Sequence, residues 1–566
     1  MKKLFVYRIK NNIFWNLNKI RFFQLLGYQV YIWGEHEFTL KNVIQIKFPS
    51  AIKSVEYEKE SRLKISKYFK KFSNCFSSGD IYMLDYVRKS IDINALDYFV
   101  FERTISNLIE KDDKCKKIVP LLLNTIHSDL RPKRNYFVFF PYLLSLMKIT
   151  FIWLKDIFMS LKIKKKVSSA PILFFRKKIS PDNGEHNFFC SALNKKDNVQ
   201  IRGIFPFSGS GDKKFGFYFF SSFKEASLIS TKSYFCSLKS SLNDLLFYFN
   251  SGIDAYYLKR CIEDTYTAKK VVGLSPSIIL GVLVDKPLYI LMFKYKNDMT
   301  KMVSLNESFF FPPNRSFDYN HLDIYYSMNS IDESMQNRYG GNINSFKKVE
   351  FFRKGNHDLK GISKELREVM SKFNYKIVIA PAQVYVEKTG YYYWAFDEME
   401  SFLKTSLNLA KDFPDTLFIV KGKKGELKLL PTWFKNLERE LENIFVVHCD
   451  KPKELEYNKF EDLIDEANLA ISMALTSTTI WQTIARDKPA IAINRTKIPS
   501  PLSEFEGLEC NLADLKGNIK YWKHRSPKDI INSINKLKKT FNIGSSNGLE
   551  QISKDLEKML RLSNTI

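Results

Sequence analysis

"NLAISMALTSTTIWQTIARDKPAIAIN", residues 468–494, is the stretch on which the fold turns. "NLAISMA" is a short, nearly continuous apolar run, as expected of a strand buried on both faces, and "PAIAIN" repeats the pattern. Between them, "TSTTIWQTIARD" places Ile480, Trp481, Ile484 and Ala485 at helical spacing. Strand, helix and strand in so short a span predict a right-handed βαβ unit with parallel strands.

Four hydroxyl residues, Thr476, Ser477, Thr478 and Thr479, fill the turn from strand to helix, with Ser472 just before them. The first turn of a helix leaves N–H groups unpaired and carries a partial positive charge. One hydroxyl suffices to cap such an end. Four in succession are read as a socket for phosphate. Hydrogen bonds to a charged group contribute about 1.5–3 kcal/mol each and the dipole about 0.3–1. Three or four contacts therefore reach on the order of micromolar binding after ordering costs. No P-loop and no GxGxxG opens this helix.

Outward from this unit the alternation continues. "YKIVIAPA", "TLFIVKGKKG" and "NIFVVHCD" read as further strands, separated by "YWAFDEMESFLKTSLNLAKDF", "WFKNLERELE" and "FEDLIDEA" as helices. They define a domain over 372–566. Upstream, over 168–360, "PILFFRK", "VQIRGIFPF", "KKVVGLS", "KPLYILMF", "HLDIYYSM" and "KKVEFFRKG" are expected as strands of a second parallel sheet. The Lys- and Ser-rich "KIKKKVSSA" (162–170) marks a boundary. Before it, residues 1–165 open with a β-α-β pattern and continue mainly helical. The expected fold is α/β: two Rossmann-like doubly wound domains facing a cleft, with an additional N-terminal α/β region. Open sheets of this kind bind ligands outside the carboxyl ends of their strands.

Composition bounds the function. Among 566 residues, 88 Lys+Arg against 61 Asp+Glu give a formal charge of +27. That excess attracts anionic partners: lipid headgroups, phosphorylated substrates or nucleic acid. No nucleic-acid module is recognisable, so nucleic acid is not an expected partner. The seven cysteines form no CxxC pair, which points to a reducing compartment and away from structural zinc. Arg8 and Lys10 interrupt the first apolar run, so a cytoplasmic location is expected. In residues 136–166, Pro141, Lys148, Lys155 and Asp156 break the apolar run short of the roughly 20 residues that span a bilayer. Two readings stay open for it, a buried helix between domains and a helix lying peripherally on the inner face of the cell membrane.

The carboxyl-terminal third resembles the nucleotide-binding domain of GT-B glycosyltransferases, especially bacterial enzymes of surface polysaccharide and lipopolysaccharide assembly. The motif that carries it is "DLIDEANLAISMALTSTTIWQTIARDKPAIAIN": acidic helix, strand, Ser/Thr cluster, helix, Lys-Pro, strand. Residues 372 to about 500 match well and 168–360 more loosely. In sialyltransferases and Kdo transferases of this class the Ser/Thr motif receives the phosphate of a CMP-activated sugar. The resemblance therefore implies a nucleotide-sugar donor, in the first instance a CMP-linked ulosonic acid, and a glycan or lipid-linked glycan acceptor. Two departures are visible. Where many relatives carry His-Pro after the second strand, this chain has Lys421 and Lys423, which the resemblance makes phosphate contacts. Where many carry Glu seven residues before the Pro, Gln482 stands.

Glycosyl transfer needs a held leaving phosphate, a base for the acceptor proton and exclusion of water. The base is expected from the facing domain. Glu185 comes first and His186 second, both in the loop after "PILFFRK"; Asp212 in "PFSGSGDKKFG" is a third candidate. Gln383, in the loop after "YKIVIAPA", is placed by topology at the domain cleft, where it is expected to meet the nucleotide or the acceptor sugar. No D-x-D follows a strand convincingly, so neither metal nor separate cofactor is expected. A polyol-phosphate transferase or nucleotide-sugar epimerase uses similar domains, and a non-catalytic glycan-binding or nucleic-acid-binding protein is the rival from outside the enzyme class.

Overall fold

The computed structural model describes residues 2–7, 21–22, 24–26, 28–33, 43–46, 56–57, 59–63, 66, 81–90, 118–121, 139–162, 172–175, 201–204, 223–251, 255–282, 287–305, 318–337, 342–350, 361–381, 396–422, 432–447, 457–472, 478–495, 500–544 and 548–564. They contain three sheets, and all the strand pairs recorded in them are parallel.

The first sheet has strands β1 (Lys2–Tyr7), β2 (Tyr28–Trp33), β3 (Val43–Ile46) and β4 (Ile118–Leu121) in the order β3-β2-β1-β4. The second has β5 (Ile172–Phe175), β6 (Ile201–Ile204), β7 (Ile278–Val282), β8 (Lys301–Leu305), β9 (His321–Ser327) and β10 (Asn342–Lys348) in the order β10-β9-β8-β7-β5-β6. The third has β11 (Tyr375–Ala380), β12 (Thr416–Lys421), β13 (Ile444–Val447), β14 (Leu469–Ser472), β15 (Ala490–Ile493) and β16 (Glu509–Cys510), ordered β13-β12-β11-β14-β15-β16. Renumbered within its sheet this is 3-2-1-4-5-6, the Rossmann order. The second and third sheets are thus two doubly wound α/β domains.

Two apolar runs expected as strands proved otherwise. "KKVVG" closes the helix Ala255–Gly273, and "LYILMFKY" is the helix Leu288–Tyr295; the strands are the neighbouring "IILGV" and "KMVSL". A short run with no polar interruption has no period to read, and Pro287, whose fixed φ suits a helix start, decides the second case. The strand expected at "KKVEFFRKG" lies earlier, at "NINSFKK".

The third sheet is covered on one face by the helices Lys364–Met370 and Phe460–Glu466. Their Leu366, Met370, Leu463 and Ile464 pack with Val378, Leu417, Ile419 and Ala470 from the strands. Every residue of β14 and β15 is buried, which is why these segments carry no polar alternation. The chain divides into two compact units: 1–67, 92–130 and 359–535 form one, and 68–91, 131–358 and 536–566 the other. In the second unit the final helix, Gly548–Asn564, is fastened to the sheet by Asp555, which accepts from Tyr326 of β9 and, at 2.6 Å, from Lys347 of β10. Residues 81–90 also belong there: Asp85 meets Nε2 of His321 at 2.9 Å, with both side chains almost wholly buried.

Candidate functional site

Strand order fixes where a ligand sits on the third sheet. From β11 the chain winds outward through β12 and β13, then returns to the other side for β14, β15 and β16. Neighbouring connections therefore leave β11 and β14 in opposite directions, and a crevice opens beyond their carboxyl ends. Ser472 is the last residue of β14, and the hydroxyl row begins four positions on, at Thr476.

Ser472 pairs with Ala380 of β11 on one side and Ala492 of β15 on the other. In a parallel sheet, paired residues face the same way, so only methyl groups flank its hydroxyl. Ser472 is 1% exposed and its Oγ has no hydrogen-bond partner. A buried unpaired hydroxyl costs about 1–3 kcal/mol and calls for an explanation; Ser230, Ser406 and Ser553 carry the same feature elsewhere. Lys421, the last residue of β12, is half-buried. It lies one step beyond the pair Ile379↔Val420 and so is level with Ala380 and Ser472. Two inter-strand spacings put its Cα roughly 10 Å from that of Ser472.

The helix Thr478–Ala485 rises from the row and packs on β14 and β15. Thr478 and Thr479 form its first turn and are half-buried. Thr483 donates to the carbonyl of Thr479 at 2.7 Å, leaving the hydroxyl of Thr479 outside that bond. Gln482, one turn in, is 5% exposed, and its amide nitrogen donates to Oε1 of Glu461 at 3.0 Å. This explains the amide at 482. A glutamate there would set two carboxylates at hydrogen-bond distance, and one would have to stay protonated. The carboxylate missing from position 482 stands instead on the first turn of Phe460–Glu466, on the adjoining helix. Sequence reading missed Glu461 because the two residues meet only through helix packing. Arg486, also on the Thr478 side, bonds Asp465 at 3.0 Å and holds the same two helices together.

Of the residues singled out from sequence, Ser472, Thr478, Thr479 and Gln482 gather around one strand–helix junction, and Lys421 ends a strand two positions away. Thr476, Ser477, Lys423, Gln383, Glu185, His186 and Asp212 lie outside the described residues. In the sequence Glu185 and His186 come after β5, which with β7 forms the switch point of the second sheet. A separate groove of about 400 Å³ lies against the opposite, starting edge of β11. Asp462, Asp465 and Glu466 line it, and burial pushes the Asp462 carboxyl up. Arg367 and Lys376 line it as well, so three carboxylates stand against two cations there. Among the described residues no three His, Cys, Asp or Glu side chains gather to hold a metal ion.

No protein-family model matches the chain, and no curated protein matches it significantly. Solved structures overlap it loosely. The UDP-GlcNAc 2-epimerase of Neisseria meningitidis bound to UDP-GlcNAc covers 68% of this chain and 99% of its own, with 10% identity and a TM-score of 0.41. The wall teichoic acid polymerase TagF soaked with CDPG covers 76% and 99%, with 11% identity and a TM-score of 0.40. Anabaena HepE in complex with UDP and glucose covers 68% and 99%, with 11% identity and a TM-score of 0.39. Overlap this loose assigns no activity to the chain.

Proposed function

We propose that the chain is a GT-B glycosyltransferase moving a sugar from a nucleotide-sugar donor, in the first instance a CMP-linked ulosonic acid, to a surface polysaccharide or lipopolysaccharide acceptor. The observation that carries this reading is the unpaired, buried hydroxyl of Ser472 at the carboxyl end of β14, beside the switch point and four positions before the row Thr476–Thr479 begins. The row and the helix N-terminus hold the leaving phosphate, and Lys421 and Lys423 neutralise its charge as the bond from the anomeric carbon to phosphate oxygen breaks. A carboxylate or imidazole from the second domain, Glu185, His186 or Asp212, takes the acceptor proton as the new glycosidic bond forms. Glu461, oriented by Gln482, receives a hydroxyl of the ribose or donor sugar. The acceptor is a glycan or a lipid-linked glycan.

Thermal-shift titration with CMP, UDP, GDP and ADP tests the binding half, because mass action raises the melting point only for a nucleotide that fits. The double variant Thr478→Ala/Thr479→Ala is expected to abolish the shift. Product analysis tests the chemistry: free nucleotide with a new glycosidic bond supports transfer, whereas an epimerised sugar or a phosphodiester replaces it. No shift with any nucleotide or nucleotide sugar overturns the assignment.

A further inference from the structure

In the second unit the helices Phe139–Lys162 and Phe223–Ser251 pack side by side and antiparallel. Tyr142 donates to the carbonyl of Ser241 at one end. Farther along, the hydroxyls of Thr150 and Tyr234 meet at 3.0 Å and Trp153 Nε1 donates to Thr231 at 3.3 Å. Trp153 stacks on Tyr234 with ring centroids 4.4 Å apart. The helix Ala255–Gly273 lies against the first of them and turns its acid inward. Asp156 accepts from Tyr266 and from Lys270, each at 2.6 Å, and Glu263 of the third helix engages Ser145 and Lys148.

Among the described side chains of the pair, over 142–158 and 228–242, the exposed ones are of two kinds. Over 142–158 the exposed apolar residues are Leu143, Leu144, Met147, Phe151, Leu154 and Phe158, with Phe151 69% exposed. The other exposed residues of that span are Lys148 and Lys155. Over 228–242 the exposed residues are Leu228, Lys232, Phe235, Lys239 and Leu242. At 100° per residue each set occupies one side of its helix. In an antiparallel pair, stripes displaced the same way from their seams open on the same side. Phe235, edge-on to Trp153 at 6.5 Å, joins the two.

A helix facing water exposes acids, amides and hydroxyls among its lysines, and none is exposed in these two spans. Acyl chains accept Leu and Phe, while lysines at the same height reach lipid phosphates. The formal charge of +27 adds attraction to an anionic surface. A second copy of the same face would set lysine rows against lysine rows. Among the described residues no helix is long and apolar enough to cross a membrane, so the pair lies along the bilayer plane. We infer that this two-helix face docks the protein on an anionic membrane surface, burying Phe151, Phe158 and Phe235 at the level of the headgroups.

The inference stands apart from the nucleotide reading, and its test uses no nucleotide. The full chain is floated with phosphatidylcholine vesicles containing or lacking phosphatidylglycerol. It is expected to rise with the anionic vesicles and to be released by salt. The variant Lys232→Ala/Lys239→Ala should lower the partition coefficient about 25-fold, about fivefold per lysine near a charged surface. Phe151→Ser/Phe235→Ser should abolish flotation at an unchanged melting temperature. Wild-type protein that stays at the bottom with both vesicles overturns the inference without recourse to any variant. So do equal binding to neutral vesicles and a wild-type partition coefficient in a folded variant. Self-association that the Phe substitutions dissolve, with no flotation, assigns the face to a second copy instead.

Discussion

Replacing Ser472 by alanine separates a ligand-binding role from a structural one through opposite signs. Without ligand, Ser472 Oγ is buried and unpaired, so deleting it removes a desolvation cost and leaves a methyl group beside those of Ala380 and Ala492. The expected change is a stabilisation of about 1 kcal/mol, which is roughly 2–4 °C in melting temperature for a domain of this size. On the proposed reading the wild-type hydroxyl pairs with the bound nucleotide's phosphate, so the variant is expected to lose a hydrogen bond of the charge-assisted kind. At about 1.5–3 kcal/mol, that weakens binding about 10- to 150-fold. Differential scanning fluorimetry reads the first effect and isothermal titration with the preferred nucleotide the second. A variant that melts lower and binds nucleotide as the wild type does would refute the reasoning, since a merely structural serine behaves in that way.

Asn443 donates from one buried amide to the carbonyls of Ala410, Phe413 and Thr416 at 2.9, 3.1 and 3.0 Å. Asn443→Ala removes all three bonds, leaving the Phe413 carbonyl only the amide of Thr416, and should cost about 3 kcal/mol in urea unfolding. Gly507 has φ +79°, and a Cβ there would lie 2.6 Å from the Tyr521 ring. Gly507→Ala should cost about 3 kcal/mol, strain and overpacking together, measured by the same unfolding curve. The Lys523 ammonium bonded to Asp415 at 2.5 Å holds its carboxyl below the usual range. A depressed folded pKa stabilises above the unfolded value, near pH 4, and that stability fades as pH falls through the folded value. Asp415→Asn should therefore flatten the acid limb of a stability–pH profile below about pH 4 and lower the profile above pH 6 by a small constant amount without changing its slope. The effect is small, because the carboxylate is largely exposed.

Most of the third domain was legible before any coordinates. "YKIVIA", "TLFIVK", "IFVV", "LAIS" and "AIAI" stand at β11 to β15, and the helix after the hydroxyl row starts at Thr478. Each signal is local: an apolar run bounded by polar residues, or a period of 3.6. The second sheet was less legible. "VVG" and "LYILMF" are as apolar as any strand, and only the end of one helix and Pro287 at the start of another assign them.

By itself, then, the sequence determined the alternation of strands and helices, the hydroxyl row at a strand–helix junction, and a long apolar helix seeded with lysines. Only the tertiary structure decided that β14 lies beside β11, which sets Ser472 level with Ala380 and Lys421 at one edge. It also decided that Glu461 orients against Gln482, that Asp85 is buried on His321, and that the lysine-lined stripes of two helices open on one side. These contacts join residues far apart in the chain. The strand neighbours, the buried Asp85–His321 hydrogen bond and the helix seam are chosen by global packing and by the entropy of closing long loops, which leave no mark on the local pattern of residues.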